Sequence, residues 1–255
     1  MKKTAKHPSG LTIFFDEEKH TYTIHETGQV LESVTTFIGR YFPKFDVDEV
    51  APKCVGKPKY KGMTEAQIRE AWEKEAERGR TEGTNVHYFA ECLGEGLIDK
   101  LPEPQSDREM KLFNQVGPAL LDLEERFIYL GSEIIVFSPR LGLAGTIDLL
   151  MFNPKTYNFI FGDWKQNKKI ETNNPWEKAF HPISHLDSTD FNKYTLQLST
   201  YEMIVREENY LSNWNRKGYG RLLIHLHEDY YKFIKMPDMR IEVFEMLQVY
   251  EDIPF

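Results

Sequence analysis

Apolar and polar positions alternate first at residues 11–15 (Leu-Thr-Ile-Phe-Phe) and 21–25 (Thr-Tyr-Thr-Ile-His), either side of the polar run 16–20. That pattern predicts a β-hairpin. Ser33 stands at an expected helix N-cap, with the helix running to about Tyr41 and ended by Pro43. Residues 44–62, rich in Lys, Pro and Gly, predict a loop. Thr64 followed by Gln67 is a capping-box pattern, and it opens a helix reaching about Gly94. A second helix is expected over about 107–130. The texture then shifts to short apolar runs at 133–138, 145–152 and 159–165, separated by turn residues, which predict three strands. Residues 191–208 return to helical spacing, 221–227 and 230–235 predict a strand pair, and 239–249 a closing helix. This order predicts an α/β fold: a small mixed central sheet flanked by helices, with an N-terminal hairpin and helical elaboration. Residues 1–71 are expected to pack on a core of 72–250, followed by an acidic-aromatic tail, 251–255.

The chain has 255 residues, 40% hydrophobic and 28% charged, ordinary values for a globular protein with a real core. No run of eighteen apolar residues occurs, and His7-Pro-Ser-Gly10 stands where the apolar part of a signal peptide would be. A cytoplasmic protein with no membrane partner is therefore expected. Two cysteines, Cys54 and Cys92, are too few for a four-cysteine zinc or iron–sulfur site. A net charge of −8 argues against coating nucleic acid through the whole surface, yet it permits a local basic groove. Lys53, Lys57, Lys59 and Lys61 form one basic cluster, and Lys165, Lys168 and Lys169 another.

The chemistry gathers around the turn Asn153-Pro-Lys-Thr-Tyr-Asn158 between two apolar strands. A hairpin centred between Lys155 and Thr156 places residue i opposite residue 311 − i, so Asp148 faces Asp163. Alternation along the strand puts Lys165 on the face of Asp163 and turns Trp164 to the other. Two carboxylates so close repel and call for a cation. An oxygen-rich pair suits Mg²⁺ or Mn²⁺, which also bind phosphate oxygens. Gly79, Gly83, His87 and Glu91 recur every four residues as one helical stripe, and the glycines imply a close approach there. Gln197 and Tyr201 are a second i, i+4 pair, on an otherwise apolar helix. Ordinary readings compete: a cross-strand Asp–Lys pair at a sheet surface, a hydrogen-bonded surface histidine, a core amide and phenol.

Four segments in this order, Gly79-Arg-Thr-Glu-Gly-Thr-Asn-Val-His-Tyr-Phe-Ala-Glu91, Gly145-Thr-Ile-Asp-Leu-Leu150, Asp163-Trp-Lys165 and Gln197-Leu-Ser-Thr-Tyr201, resemble the motifs of the RecB-like PD-(D/E)XK nucleases. The resemblance implies a restriction-endonuclease-like core and a metal-dependent DNA nuclease. It implies His87, Asp148, Asp163 and the Trp164 carbonyl as metal ligands and Lys165 as the catalytic lysine. Gln197 and Tyr201 would support the site or the DNA, and Glu133 would join the metal. Ser33-Val-Thr-Thr-Phe-Ile, the lysine-rich stretch and Trp72-Glu-Lys-Glu are similar to the mitochondrial genome maintenance exonucleases and their phage relatives. That similarity implies an exonuclease on single-stranded or free DNA ends, in replication, repair or recombination. A flap or junction endonuclease and a non-catalytic nucleic-acid-binding module are the alternatives. The missing cysteines exclude the family's iron–sulfur branch, and no nucleotide cofactor is expected without a Walker loop. Lys53, Lys57, Lys59, Lys61, Lys168 and Lys169 are expected to touch the DNA backbone. The tail Tyr250-Glu-Asp-Ile-Pro-Phe255 resembles the tip of bacterial single-stranded-DNA-binding proteins, implying partners that recognise it.

Overall fold

The computed structural model describes residues 2–214 and 218–251. The tail residues 252–255, with their expected partners, lie outside the described residues. Strands β1 (Lys2–Lys6), β2 (Thr12–Asp16), β3 (Thr21–Ile24) and β4 (Val30–Ser33) form an antiparallel meander. The expected hairpin is β2–β3. Neither β1 nor β4 is visible in the apolar pattern, because β1 is mostly lysine and β4 only four residues long; each exists through its neighbour's hydrogen bonds.

Helix α1 (Val34–Gly39) begins at Ser33, whose Oγ accepts from the Thr36 amide. The expected loop at 44–62 contains helix α2 (Val47–Cys54) and a 3₁₀ turn at Pro58–Tyr60. The Asp46 carboxylate caps α2 through the amides of Asp48 and Glu49, and both acids favour its first turn. Helix α3 (Glu65–Gly94) starts with the complete Thr64–Gln67 capping box. Helix α4 (Asp107–Glu124) ends six residues before the expected stop, because strand β5 (Ile128–Ser138) starts early to pair with β6 (Leu143–Asn153). Strand β7 (Asn158–Lys165), helix α5 (Asp190–Glu207), strands β8 (Gly218–Leu226) and β9 (Tyr231–Met236) and helix α6 (Arg240–Glu251) complete the chain.

Among the described residues, nine strands join one mixed sheet, wider than the small sheet expected because β4 pairs in parallel with β6 and so adds the N-terminal meander. β5–β6–β7 and β8–β9 are antiparallel, and β7 pairs in parallel with β8. Helices α1, α5 and α6 cover one face through a core with Leu150, Phe161 and Leu223; α3 and α4 cover the other through Leu149, Met151, Trp164 and Ile224. Burying each such side chain is worth about 1.5–3 kcal/mol. No helix among the described residues is long and apolar enough to cross a membrane.

Strand β6 holds the arrangement that shapes the site. One edge pairs with β5 along its length, but the other is shared: β4 takes Leu143 and Ala144, and β7 takes Leu149 to Asn153. Among the described residues, no strand pairs with 145–148 on that second edge. The sheet forks there.

A candidate metal centre at the forked edge of β6

The register of β6 and β7 pairs Leu149 with Gly162 and Asn153 with Asn158, so paired positions sum to 311 as expected. Beyond Leu149 the strands part, and Asp148 Oδ2 accepts the Trp164 amide at 3.1 Å in place of a strand carbonyl. On the other side, the pairs Ser132–Leu149 and Ile134–Ile147 put Glu133 level with Asp148. Glu133, Asp148 and Asp163 thus form a row of carboxylates across three neighbouring strands. Glu133 has a left-handed backbone, φ +51°. That conformation is unfavourable for a residue with a Cβ and, where it occurs, tends to mark a working site.

Helix α3 lowers His87 onto this row. Its Nε2 lies 3.0 Å from the Trp164 carbonyl, which can only accept, so this nitrogen carries a proton. Nδ1 lies 3.4 Å from Asp148 Oδ2 and 3.8 Å from Glu133 Oε1. Burial opposes charging the ring, but the Asp148 charge and the Glu133 hydrogen bond outweigh it and raise the His87 pKa to about 9. His87, Glu133 and Asp148 each offer a ligand atom, all within 4.8 Å of one another. Ligands about 2.0–2.1 Å from a small divalent cation sit about 3–4 Å apart, so the cluster fits such an ion after small closure. Without a metal, protonated His87 and the neighbouring ammonium groups balance the carboxylates, so a cation entering here would take the place of the His87 proton.

Two expected ligands stand differently. The Trp164 carbonyl is taken by His87 Nε2, an interaction that orients the ring. Asp163 is outside the three-residue cluster. It is buried, its Oδ2 lies 2.6 Å from Lys165 Nζ, and its Oδ1 lies 3.5 Å from Gln197 Nε2. The Lys165 ammonium is the partner of Oδ2, in a short charge-assisted contact. Burial pushes the Asp163 pKa up to about 6; Lys165 pulls it down and Asp148 adds to the rise. Burial alone would discharge Lys165, but Asp163 and Asp148 more than offset it and hold the ammonium charged. The Tyr194 ring lies under that ammonium, 4.7 Å from Nζ. Trp164 points into the opposite layer, as alternation requires.

Gln197 also donates to Tyr201 Oη at 3.1 Å, so the predicted α5 pair is a relay ending on Asp163. Tyr201 is buried against Gly145, where an added Cβ would come within 2.4 Å of the ring. Gly83 is tight for a similar reason, since an added Cβ would meet Gln166 Nε2 at 2.5 Å, while Gly79 faces open space. The structure thus sets only a movable amide against one glycine of the stripe and leaves the other bare.

The lysines divide. Lys53 pairs with Glu49 at 2.6 Å, Lys168 with Glu75 at 3.1 Å and Lys169 with Glu171 at 2.8 Å. Lys57, Lys59 and Lys61 are exposed and form no ion pair among the described residues. A cavity of about 540 Å³ beside the site is lined by Arg78, Gly79, Arg80, Arg108, Lys168 and Lys169, with Glu75 and Glu82. Three neighbours of the site were not among the residues expected from the sequence. Tyr194 continues the Gln197–Tyr201 stripe one turn earlier and could have been found by that spacing. Gln166 directly follows Lys165. Lys3 carried no signal: β1 brings its Nζ to 3.7 Å from Glu133 Oε2, and its pKa is raised, with burial opposing and Glu133 driving the rise.

No family model matches the chain, and no curated protein matches it. A solved structure described as a "putative exonuclease", from Eubacterium rectale, is similar over 67% of this chain and 65% of that one, at 12% identity and a TM-score of 0.39. The similarity spans less than two thirds of that chain.

Proposed function

We propose that this chain hydrolyses DNA phosphodiester bonds with Mg²⁺ or Mn²⁺, working from single-stranded or free ends, as a PD-(D/E)XK nuclease of the RecB-like kind. The observation that carries the reading is the row Glu133, Asp148, Asp163 at the fork, with His87 above it and Lys165 beside it. Glu133, Asp148 and His87 Nδ1 would hold the cation, with His87 giving up that proton on loading. The bound cation would lower the pKa of a coordinated water and polarise a phosphoryl oxygen. Lys165 remains an ammonium at neutral pH, so it neutralises charge on the phosphate and orients the attacking water rather than accepting its proton. Asp163 fixes that ammonium, Gln197 fixes Asp163, and the Tyr194 ring supports Nζ from below. The Arg- and Lys-lined cavity beside Gly79 would receive the polyanion by exchanging the glutamate partners of its cations, Glu73, Glu75, Glu82 and Glu171, for phosphates.

End-labelled and end-blocked oligonucleotides, incubated with Mg²⁺, Mn²⁺ or EDTA, test the reading. Cation-dependent release of short products from free ends supports it. Cutting of a covalently closed single-stranded circle makes the enzyme an endonuclease. Binding without cleavage under every cation reduces the chain to a nucleic-acid-binding module.

A further inference from the structure

The face of α3 that carries His87 continues toward the helix start. At about 100° per residue, Trp72, Gly79, Gly83 and His87 lie within about 80° of one another around the axis. Trp72 therefore stands on the same side of α3 as the metal cluster, fifteen residues earlier. At about 1.5 Å per residue that separation is about 22 Å.

Around Trp72 the chain builds an aromatic patch from segments far apart in sequence. The Phe45 ring meets Trp72 edge-on at 5.4 Å, and Tyr60 meets it at 5.9 Å. Trp72 Nε1 donates to Tyr60 Oη at 3.0 Å. Phe45 is 65% exposed, so the cluster turns a large apolar ring to solvent instead of closing over it. Lys59 Nζ lies 5.3 Å from the centre of the Tyr60 ring, and Lys57 and Lys61 flank it without acidic partners among the described residues. Between patch and metal cluster, the helix face is bare at Gly79 and borders the basic cavity. Open aromatic rings interleaved with free ammonium groups suit unpaired nucleotides, which present a flat π-face and a phosphate at every step. A duplex hides those faces inside its stack.

We infer that Phe45 and Trp72, with Tyr60 supporting them, form a base-stacking subsite for single-stranded nucleic acid, about 22 Å along α3 from the cleavage position. The inference rests on the proposed nuclease reading for the direction of the strand. At the stacked spacing of about 3.4 Å per nucleotide, the strand crosses about six nucleotides between the two points, fewer when stretched. Short oligomers held at the metal cluster cannot reach the patch.

Fluorescein-labelled oligothymidylates of about 3 and about 12 nucleotides, bound with Ca²⁺ to hold phosphate at the acidic row, test the subsite within the usual size range of single-strand sites. Phe45→Ala and Trp72→Ala should each weaken the longer oligomer about tenfold or more, as expected when one stacked base is released, and leave the shorter unchanged. Trp72→Phe should recover most of the affinity. One abasic position moved along the longer strand should weaken binding to the intact protein in a single window and have no such window in the variants. Equal weakening at both lengths, no weakening at all, or an equal effect on duplex DNA would overturn the subsite. Circular dichroism melts screen the Trp72 variant for folding, and Phe45 is exposed enough to stand as the independent case. Cleavage with Mn²⁺ by intact protein, alongside unchanged binding in both variants, removes the subsite and leaves the nuclease. Stacking without cleavage removes the nuclease and leaves the subsite.

Discussion

Replacing Glu133 by glycine and by alanine separates what this residue does for the backbone from what it does for the site. Both changes delete the same carboxylate and the same half-buried ion pair with Lys3, worth at most about 1 kcal/mol. They differ only in how the backbone tolerates φ +51°. In an ordinary strand, glycine is less stable than alanine by about 0.5–1 kcal/mol. With left-handed backbone the order reverses, since a Cβ there costs about 1–2 kcal/mol. Glu133→Gly should therefore exceed Glu133→Ala by about 1 kcal/mol, or about 2–4 °C in Tm for a protein of this size. Neither variant should keep the full Tm increase that Mn²⁺ gives the unsubstituted protein, because each lacks a ligand. The assay is a thermal melt of three proteins with Mn²⁺ and with EDTA. Alanine melting at or above glycine in EDTA would refute the strain argument. An undiminished Mn²⁺ shift in both variants would refute Glu133 as a ligand.

Asp163→Ala and Lys165→Ala should each abolish cleavage, and each should also destabilise the fold by about 3–5 kcal/mol by leaving half of a buried ion pair; the double variant Asp163→Asn, Lys165→Met should recover stability in denaturant melts without recovering activity. Replacing Lys57, Lys59 and Lys61 by glutamine should flatten the salt dependence of single-strand binding, measured by anisotropy titration, by about 0.7 in log–log slope for each phosphate no longer neutralised. Lys53→Gln alone, which only frees Glu49, should leave that slope unchanged. His87 is protonated in the metal-free protein up to about pH 9. Mn²⁺ binding at about pH 8 should thus release a proton, seen in calorimetry as a heat that varies with buffer ionisation enthalpy. For folding the sign is that of a raised pKa: the His87 contribution is complete below its ordinary value and disappears as pH rises through about 9. His87→Ala should remove both the released proton and that decline in stability.

Much of the fold was legible where local chemistry and tertiary structure agree. The Thr64–Gln67 box, the Ser33 cap, and the 311-sum hairpin that ends just before Asp148 and Asp163 are set by neighbours in sequence. The missed elements depend on distant partners. Lys2–Lys6 becomes a strand only because β2 is beside it, and residues 128–132 leave the helical pattern only because β6 has an edge for them to fill. Helix α2 was readable in principle from Asp46, Asp48 and Glu49, but Pro52 and the surrounding lysines and glycines obscured it. In the site, residue types and spacing pointed to His87, Asp148, Asp163 and Lys165. Sequence could not show that His87 meets Glu133 and Asp148 more closely than Asp163 does, nor that Lys3 reaches the acidic row. Those are facts about where strands separate.

The fork in β6 brings two separate parts of the sheet to one row of carboxylates. A strand edge holds one partner at a time, and here a short stretch of free edge separates the N-terminal meander from β7. Two sheet arms therefore hang from the strand bearing Asp148, and Lys3 in one arm and Lys165 in the other reach opposite ends of the same acidic row. The N-terminal meander, buried against β5 and β6 through Ile13, Ile24, Ile135 and Phe137, thus holds Lys3 at a fixed place beside the acids and contributes charge to the row as well as packing.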